Sequence, residues 1–209
     1  MQVPIDQGRH LEGDLEVPQG AFGIVVFAHG SGSSRHSPRN KHVAKTLQKG
    51  GLATLLIDLL TMDEEEEDMA TAHLRFDIGL LTKRLCAVTD WLMKDKKAAH
   101  LQIGYFGAST GAAAALSAAA EKKGAVKAVV SRGGRPDLAT HLPQVEAPTL
   151  LIVGGYDVPV IGMNEEALEL LQCEKKLIIV PKATHLFEEP GALDQVAQLA
   201  LSWFSQHLK

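Results

Sequence analysis

The chain has 209 residues and a mass of 22.4 kDa, and 45% of its residues are apolar. This is enough to bury one compact core, so we expect a single domain over residues 1–209. The formal net charge of −4 and the dispersed basic residues provide no electrostatic footprint for nucleic acid.

Targeting signals and metal-binding patterns are also missing from the sequence. The N-terminus lacks the charged and apolar segments of a signal peptide, and no apolar run approaches the roughly eighteen residues of a membrane span. We therefore expect a cytoplasmic protein without a membrane partner. The two cysteines, Cys86 and Cys173, have neither a metal-ligand spacing nor a disulfide framework, so we expect both to be reduced and no metal to be bound.

Apolar runs alternate with helical patterns from residue 23 onward, which is typical of a mostly parallel sheet with helices on both faces. The segment before it, rich in turn residues, is predicted to be an antiparallel edge hairpin. Strands are predicted at residues 10–17, 23–28, 53–57, 103–106, 125–130, 149–153 and 176–180. Helices are predicted at residues 41–49, 76–93, 110–122, 165–171 and 192–208. The fold class predicted from this alternation is α/β.

One segment is of low complexity, the acidic run at residues 63–68. Like charges repel when packed together and need water, so the run is predicted to be a solvated loop or a first helical turn. A calcium site is not expected there because the alternating, glycine-bearing ligand spacing is absent.

The sequence GASTG at residues 107–111 lies between a predicted strand and an alanine-rich predicted helix. A serine in such a strand-to-helix turn has its hydroxyl lifted out of the backbone, and its small neighbours allow the sharp bend. We identify Ser109 as the candidate nucleophile. The alternative is that Ser109 is only a small residue that permits close packing of helix against strand.

A carboxylate and a histidine follow two later strands. Asp157 comes directly after the predicted strand 149–153, and His185 lies in the loop after the strand 176–180. In this chain order the histidine would act as the general base and the carboxylate would orient it. Alternatively, Asp157 caps a turn before Val158, and His185 is a surface-loop histidine.

Two backbone amides are candidates for an oxyanion hole. The N–H of Thr110 lies at a helix N-terminus, where the dipole favours negative charge. The second N–H belongs to Ser31, or with less support to Gly32, in the glycine-bearing turn after the strand 23–28.

Three arginines follow strands at the edge where open α/β sheets place their ligand crevice. Arg35 and Arg39 follow the oxyanion turn, and Arg132 follows the strand next to the nucleophile strand. A guanidinium group matches a carboxylate or phosphate, so these arginines are candidates to bind an anionic group of the substrate. The alternative is that they are solvated or paired with internal carboxylates such as Asp58 or Asp77.

Four motifs together resemble the dienelactone hydrolase-like family of the α/β-hydrolase superfamily. They are HGSGSS at residues 29–34, GASTG at 107–111, GGYD at 154–157 and ATHLFEEPG at 183–191. The resemblance implies an α/β-hydrolase fold, hydrolysis of an ester or lactone, and no cofactor. Many α/β-hydrolases insert a lid between residues corresponding to 131 and 149, where this chain has room only for a short turn at 136–141. True dienelactone hydrolases use a cysteine nucleophile, so Ser109 marks a serine variant whose substrate is not the dienelactone itself.

The resulting hypothesis is a serine-dependent hydrolase of small carboxylic esters or lactones, with Ser109, Asp157 and His185 as its triad. Its partner would be a small-molecule substrate, with an anionic group as one option. Acyl transfer to an acceptor other than water is an alternative on the same scaffold, because an acyl-enzyme accepts any nucleophile that reaches it. A non-catalytic binding module is the alternative from another class.

Overall fold

Residues 1–6 and 8–209 are described by the structure, a computed structural model, and they form eight strands and six helices. The strands are β1 (Gln2–Pro4), β2 (His10–Glu16), β3 (Gly23–Ala28), β4 (Ala53–Ile57), β5 (Gln102–Ala108), β6 (Val126–Arg132), β7 (Thr149–Gly154) and β8 (Lys175–Val180). The helices are α1 (Pro38–Lys49), α2 (Met62–Thr71), α3 (Ile78–Leu92), α4 (Thr110–Glu121), α5 (Val158–Leu170) and α6 (Ala192–His207). Within the described residues, no helix is both long and apolar enough to cross a bilayer.

The strands form one sheet in the order β1-β2-β4-β3-β5-β6-β7-β8. From β4 to β8 across the sheet, every neighbouring pair is parallel. β2 is antiparallel to β4, and β1 is antiparallel to β2, with Val3 opposite Leu11. The predicted mostly parallel sheet and the antiparallel edge hairpin are both confirmed.

Helices cover both faces of this sheet, which explains why the central strand β3 is apolar throughout. All six residues of β3 are buried: Ile24 and Val26 belong to one apolar core, and Val25 and Phe27 to the other. Side chains alternate across a strand, so a strand with two covered faces needs apolar residues at every position. Helices α3 and α4 supply the first core, and α1 and α6 supply the second.

No lid domain is inserted after β6, as the sequence predicted. Residues 133–148 contain two short 3₁₀ turns, Pro136–Leu138 and Leu142–Gln144. Helix α5 is longer than predicted and begins at Val158, directly after Asp157. Proline is tolerated in a first helical turn because the N–H it lacks would have no partner there, so Pro159 does not delay the start of α5.

The acidic run is a helix, α2, and the prediction that it is wholly solvated is wrong at Asp68. A capping box between Thr61 and Glu64 begins the helix. Asp68 is only 3% exposed, and its carboxylate accepts hydrogen bonds from the Leu74 N–H and from the Arg75 side chain. An arginine in the following turn therefore compensates a charge that the run alone would have to leave in water.

The turn between β5 and α4 is packed too closely for side chains at both of its glycines. A Cβ at Gly111 would lie 2.3 Å from the carbonyl oxygen of Ala28, and one at Gly107 would lie 2.4 Å from Cα of Ala112. Backbone atoms cannot yield as a flexible side chain can, so glycine is required at both positions.

We expect Gly111→Ala to lower the free energy of unfolding by at least about 2 kcal/mol, because β3 and α4 would have to separate. Gly162→Ala is the matched control: a Cβ there meets nothing within 4 Å in helix α5, and the change should add roughly 0.5–1 kcal/mol. Urea unfolding of both variants measures the difference. A Gly111→Ala protein as stable as the wild type would contradict the close approach.

Candidate active site

Ser109 occupies the turn between β5 and α4 in a conformation that is rare for a residue with a side chain. Its φ is 51° and its ψ is −122°. The neighbouring chain holds this strain: the Ser109 N–H donates to the Arg132 carbonyl at 3.3 Å, and its own carbonyl accepts from the N–H groups of Ala112 and Arg135 at 3.1 Å each. Such strained turns persist where surrounding bonds enforce them, and this one presents Ser109 at the carboxyl edge of the sheet.

Asp157 and His185 are in direct contact. The Nδ1 of His185 donates to Oδ2 of Asp157 at 2.6 Å, and the Asp157 carboxylate is 14% exposed. This bond fixes the tautomer that leaves Nε2 without a proton and free to accept one. Asp157 is the N-cap residue of α5, as the alternative expected, but its side chain makes no capping bond to the helix and is bonded to His185 instead.

Main-chain contacts hold the two loops that carry this pair together. The Gly155 N–H donates to the Val180 carbonyl, and the Tyr156 N–H donates to the Ala183 carbonyl, both at 2.9 Å. A Cβ at Gly154 would lie 2.5 Å from the Ala183 oxygen, so the two chains touch there. The position of His185 relative to Asp157 is therefore set by backbone rather than by flexible side chains.

Ser109 and His185 reach the same part of the sheet edge from opposite sides of β6. The residue after β6, Gly133, lies against the His185 ring: its ideal Cβ would be 3.4 Å from Nδ1. The residue before it, Arg132, accepts the Ser109 N–H. Within residues 1–6 and 8–209, no hydrogen bond joins Ser109 Oγ to His185; such bonds commonly tighten only when substrate binds.

The predicted oxyanion turn lies against Ser109. An ideal Cβ on Gly30 would be 3.1 Å from Cβ of Ser109. The Ser31 N–H donates to the side-chain hydroxyl of Thr110 at 2.9 Å. The structure thus brings the two predicted oxyanion residues into contact, but the Ser31 amide already has a hydrogen-bond acceptor.

His29, for which the sequence suggested no role, positions this turn. Its Nδ1 bonds to the Gly30 carbonyl at 3.0 Å, and its Nε2 accepts from the Leu59 N–H at 3.2 Å. Burial lowers the pKa of His29, although the Gly30 carbonyl and the Asp58 and Glu65 carboxylates act in the opposite direction. The neutral ring links the turn to the chain after β4, and its place in the HGSGSS motif was the signal that could have revealed it.

A cavity of about 340 Å³ lies between the oxyanion turn and helix α2. Asp58, Glu65, Asp68 and Arg75 line it, as does Thr110, the residue after Ser109, whereas Ser109, Asp157 and His185 do not. Its volume is at the lower end of the range for small-molecule sites. No signal in the sequence placed α2 or Arg75 at this cavity, because their contact depends on the path of the chain after β4.

Two of the three predicted anchor arginines are paired with carboxylates. Arg35 bonds to Asp58 through both its backbone N–H, at 2.6 Å, and its guanidinium group. This pairing was the alternative to substrate binding, and the structure favours it for Arg35. Arg39 Nη1 bonds to the exposed carboxylate of Glu188 at 3.2 Å, while its Nε is buried and bonds to none of the described residues.

Arg132 differs from both because no described carboxylate pairs with it. It is 7% exposed, its Nε and Nη1 have no hydrogen-bond partner among residues 1–6 and 8–209, and its guanidinium carbon lies 5.9 Å from the centre of the Phe187 ring. Burial and, to a smaller extent, the charge of Arg39 lower the pKa of Arg132 to about 10. The group still carries its charge at neutral pH, in a place where a charge without a partner is costly.

The order of strands, the turn after β5 and the loops after β7 and β8 define an α/β-hydrolase fold. The chain belongs to the dienelactone hydrolase family, whose sequence pattern matches residues 11–208. A crystal structure of dienelactone hydrolase from Anabaena variabilis is 64% identical, with a TM-score of 0.98 over 100% of this chain and 97% of that one. The family resemblance seen in the sequence is thereby confirmed.

Of two further comparisons, one shows a shared fold at low sequence identity and the other shows high identity to part of longer proteins. A Xanthomonas campestris protein, described as an α/β serine hydrolase without a lid, has the same fold at 19% identity and a TM-score of 0.77, over 100% of this chain and 94% of that one. Proteins of two Mycobacterium tuberculosis strains, provisionally named phosphoribosyl transferases, are 58% identical over 199 residues. That match covers 95% of this chain but only 44% of each relative, so the chain spans less than half their length.

The partly buried imidazole of His29 predicts a loss of stability in acid. Because its pKa is lowered, the folded chain binds fewer protons than the unfolded chain between the folded pKa and the ordinary value of about 6.5. The free energy of unfolding should therefore fall as the pH decreases below about 6.5. A tenfold change in proton affinity corresponds to about 1.4 kcal/mol.

Urea unfolding at about pH 7 and about pH 5 tests this expectation. His29→Gln keeps an acceptor for the Leu59 N–H but does not titrate, so its loss between the two pH values should be smaller than that of the wild type. His36→Gln, at an exposed histidine, is the control and should behave as the wild type. Equal losses in His29→Gln and wild type would contradict the assignment.

Proposed function

We propose that this chain is a serine-dependent hydrolase of small carboxylic esters or lactones that works through an acyl-enzyme intermediate. The observation that carries the proposal is the strained Ser109 turn, at φ 51°, on the same edge as the 2.6 Å bond between His185 and Asp157. A nucleophile on a rigid turn and an oriented base are the two components that acyl transfer requires.

In the proposed reaction, Ser109 Oγ bonds to the carbonyl carbon while Nε2 of His185 takes the hydroxyl proton. The electron pair of the C=O bond moves onto the oxygen and returns when the leaving alcohol departs with the proton from Nε2. Water then repeats the sequence on the acyl-enzyme, which releases the carboxylic acid and restores Ser109. Asp157 keeps the imidazole oriented and stabilises its protonated form. Every proton in this cycle passes through His185, so no cofactor is invoked.

Size and charge suggest which substrates fit. The cavity of about 340 Å³ favours a small acyl or alcohol group. Asp58 and Asp68 in its wall are paired with Arg35 and Arg75, which leaves Glu65 as the lining carboxylate without an arginine partner among the described residues. An anionic group on the substrate would therefore be directed away from this wall and toward Arg132, with Arg39 beside it.

The provisional name of the Mycobacterium tuberculosis relatives is not carried into this proposal. Those proteins contain more sequence than this chain matches, whereas the dienelactone hydrolase pattern covers residues 11–208 here. Acyl transfer to an alcohol remains an alternative outcome for the same acyl-enzyme.

We expect Ser109→Ala to lower kcat for 4-nitrophenyl acetate by at least about a thousandfold, because no other group would form the acyl-enzyme. A fluorophosphonate probe should label the wild type and fail to label Ser109→Ala. Ser202→Ala, at an exposed serine of α6, is the control and should keep both activity and labelling.

Three results would contradict the proposed serine hydrolase or favour one of its alternatives. Equal activity in Ser109→Ala and wild type would remove the nucleophile assignment. No hydrolysis and no labelling in any variant would favour the binding module. Product analysis in the presence of a primary alcohol separates hydrolysis from acyl transfer, because a transferase would yield mainly the new ester.

The anionic-substrate proposal is tested with two esters of equal chain length, 4-nitrophenyl pentanoate and mono-4-nitrophenyl glutarate. If Arg132 binds the carboxylate, Arg132→Gln should lower kcat/KM for the glutarate by about 10- to 100-fold, the effect of one charge-assisted hydrogen bond. The pentanoate should change much less. Arg9→Gln is the control, since Arg9 is exposed and paired with Asp6. Similar losses on both esters would show that Arg132 is structural.

A further inference from the structure

The hydroxyl of Thr110 is held in a fixed position beside the nucleophile. Thr110 is the first residue of α4 and is only 3% exposed. Its Oγ1 accepts the Ser31 N–H at 2.9 Å. This bond links the turn after β3 to the helix that begins at the nucleophile, and it fixes the orientation of the hydroxyl oxygen.

The proton of this hydroxyl has no acceptor among the described residues. A threonine hydroxyl can donate one hydrogen bond in addition to those it accepts. Across the described residues, Thr110 Oγ1 accepts from Ser31 and donates to no protein group. The residue lines the 340 Å³ cavity together with Gly30 and Ser31, and it directly follows Ser109 in the chain, so its hydroxyl borders open space next to the candidate nucleophile.

The backbone N–H of Thr110 is similarly without an acceptor among the described residues. It belongs to the first turn of a helix, where N–H groups have no intrahelical partner and the helix dipole favours negative charge. One residue thus presents two donors, an N–H and an O–H, next to Ser109.

We propose that the Thr110 hydroxyl is a catalytic donor of the oxyanion hole, and that Ser31 acts through it. This inference rests on the proposed serine hydrolase function. As Ser109 Oγ bonds to the carbonyl carbon, the C=O electron pair moves onto oxygen and the serine proton goes to Nε2 of His185. The oxyanion then accepts hydrogen bonds from the Thr110 N–H and the Thr110 hydroxyl, and neither proton is transferred.

The bond from Ser31 gives this arrangement a physical advantage. An N–H that donates to a hydroxyl oxygen polarises it and makes its O–H a better donor, because chained hydrogen bonds strengthen one another. The effect increases as negative charge develops on the acceptor, since hydrogen bonds to an ionised oxygen are about twice as strong as neutral ones. The Ser31 amide therefore contributes to the oxyanion hole as a positioning group, and the predicted direct bond from Ser31 to the oxyanion is replaced by a relay.

Thr110→Val and Thr110→Ser test the proposal. Valine has nearly the same shape but no hydroxyl, so kcat for 4-nitrophenyl acetate should fall by about 10- to 100-fold while KM changes by less than about threefold. Serine retains the hydroxyl and should restore most of the activity. The affinity for a trifluoromethyl ketone, which forms an oxyanion adduct with the serine, should fall in Thr110→Val by the same factor as kcat/KM.

Ser117→Ala is the matched control for the loss of a buried hydroxyl from α4. Ser117 is 1% exposed, and its Oγ accepts the Thr140 N–H at 2.9 Å, a bond of the same type at the far end of the helix. It should cost similar stability and leave kcat unchanged.

Two outcomes overturn the relay. If Thr110→Val is as active as the wild type or more active, the Ser31 N–H binds the oxyanion directly once the hydroxyl no longer occupies it. If Thr110→Ser is as impaired as Thr110→Val, the methyl group and not the hydroxyl matters. Failure of the proposed function looks different: Ser109→Ala would then keep its activity, whatever the Thr110 variants do.

Discussion

The rest of the site depends on how closely the turn between β5 and α4 packs against β3. With room for no Cβ at Gly107 or Gly111, the backbone must turn within a few residues, and Ser109 takes a φ of 51°. That strain is held by three main-chain bonds to neighbouring residues. The same contact brings the turn after β3 against Ser109, so one packing constraint positions both the proposed nucleophile and the proposed oxyanion donors.

On the other side of β6, rigidity comes from main-chain hydrogen bonds between adjacent loops. Two such bonds at 2.9 Å join the loops after β7 and β8. These loops carry Asp157 and His185, so the main-chain bonds also hold the 2.6 Å bond between the two side chains in place. Neither half of the site relies on a long, flexible side chain to set its geometry. This preorganisation allows a domain without a lid after β6 to bring its reacting groups together with little reorganisation.

Charge is distributed unevenly around this framework. Arg35 and Arg39 are paired with Asp58 and Glu188, and in the cavity lining Asp68 is paired with Arg75 while Glu65 has no arginine partner among the described residues. Arg132 stays buried without a carboxylate partner among the described residues. Keeping a charge in that position costs folding free energy, and a substrate anion would offset the cost where the protein does not.

Local patterns in the sequence were sufficient for the sheet, the turn and the order of the candidate triad. Apolar runs mark strands buried on both faces, and glycines on either side of Ser109 mark a sharp bend, because both signals depend only on neighbours along the chain. They were insufficient to predict the full length of α2, the short strand β1, and which of the arginines pair with carboxylates. The sequence predicted a solvated Asp68, but the structure pairs its carboxylate with Arg75. The sequence predicted a free Ser31 N–H, but this group donates to the Thr110 hydroxyl. Those outcomes were decided by the tertiary structure, because hydrogen-bond and charge pairing between distant segments depends on where the chain returns in space.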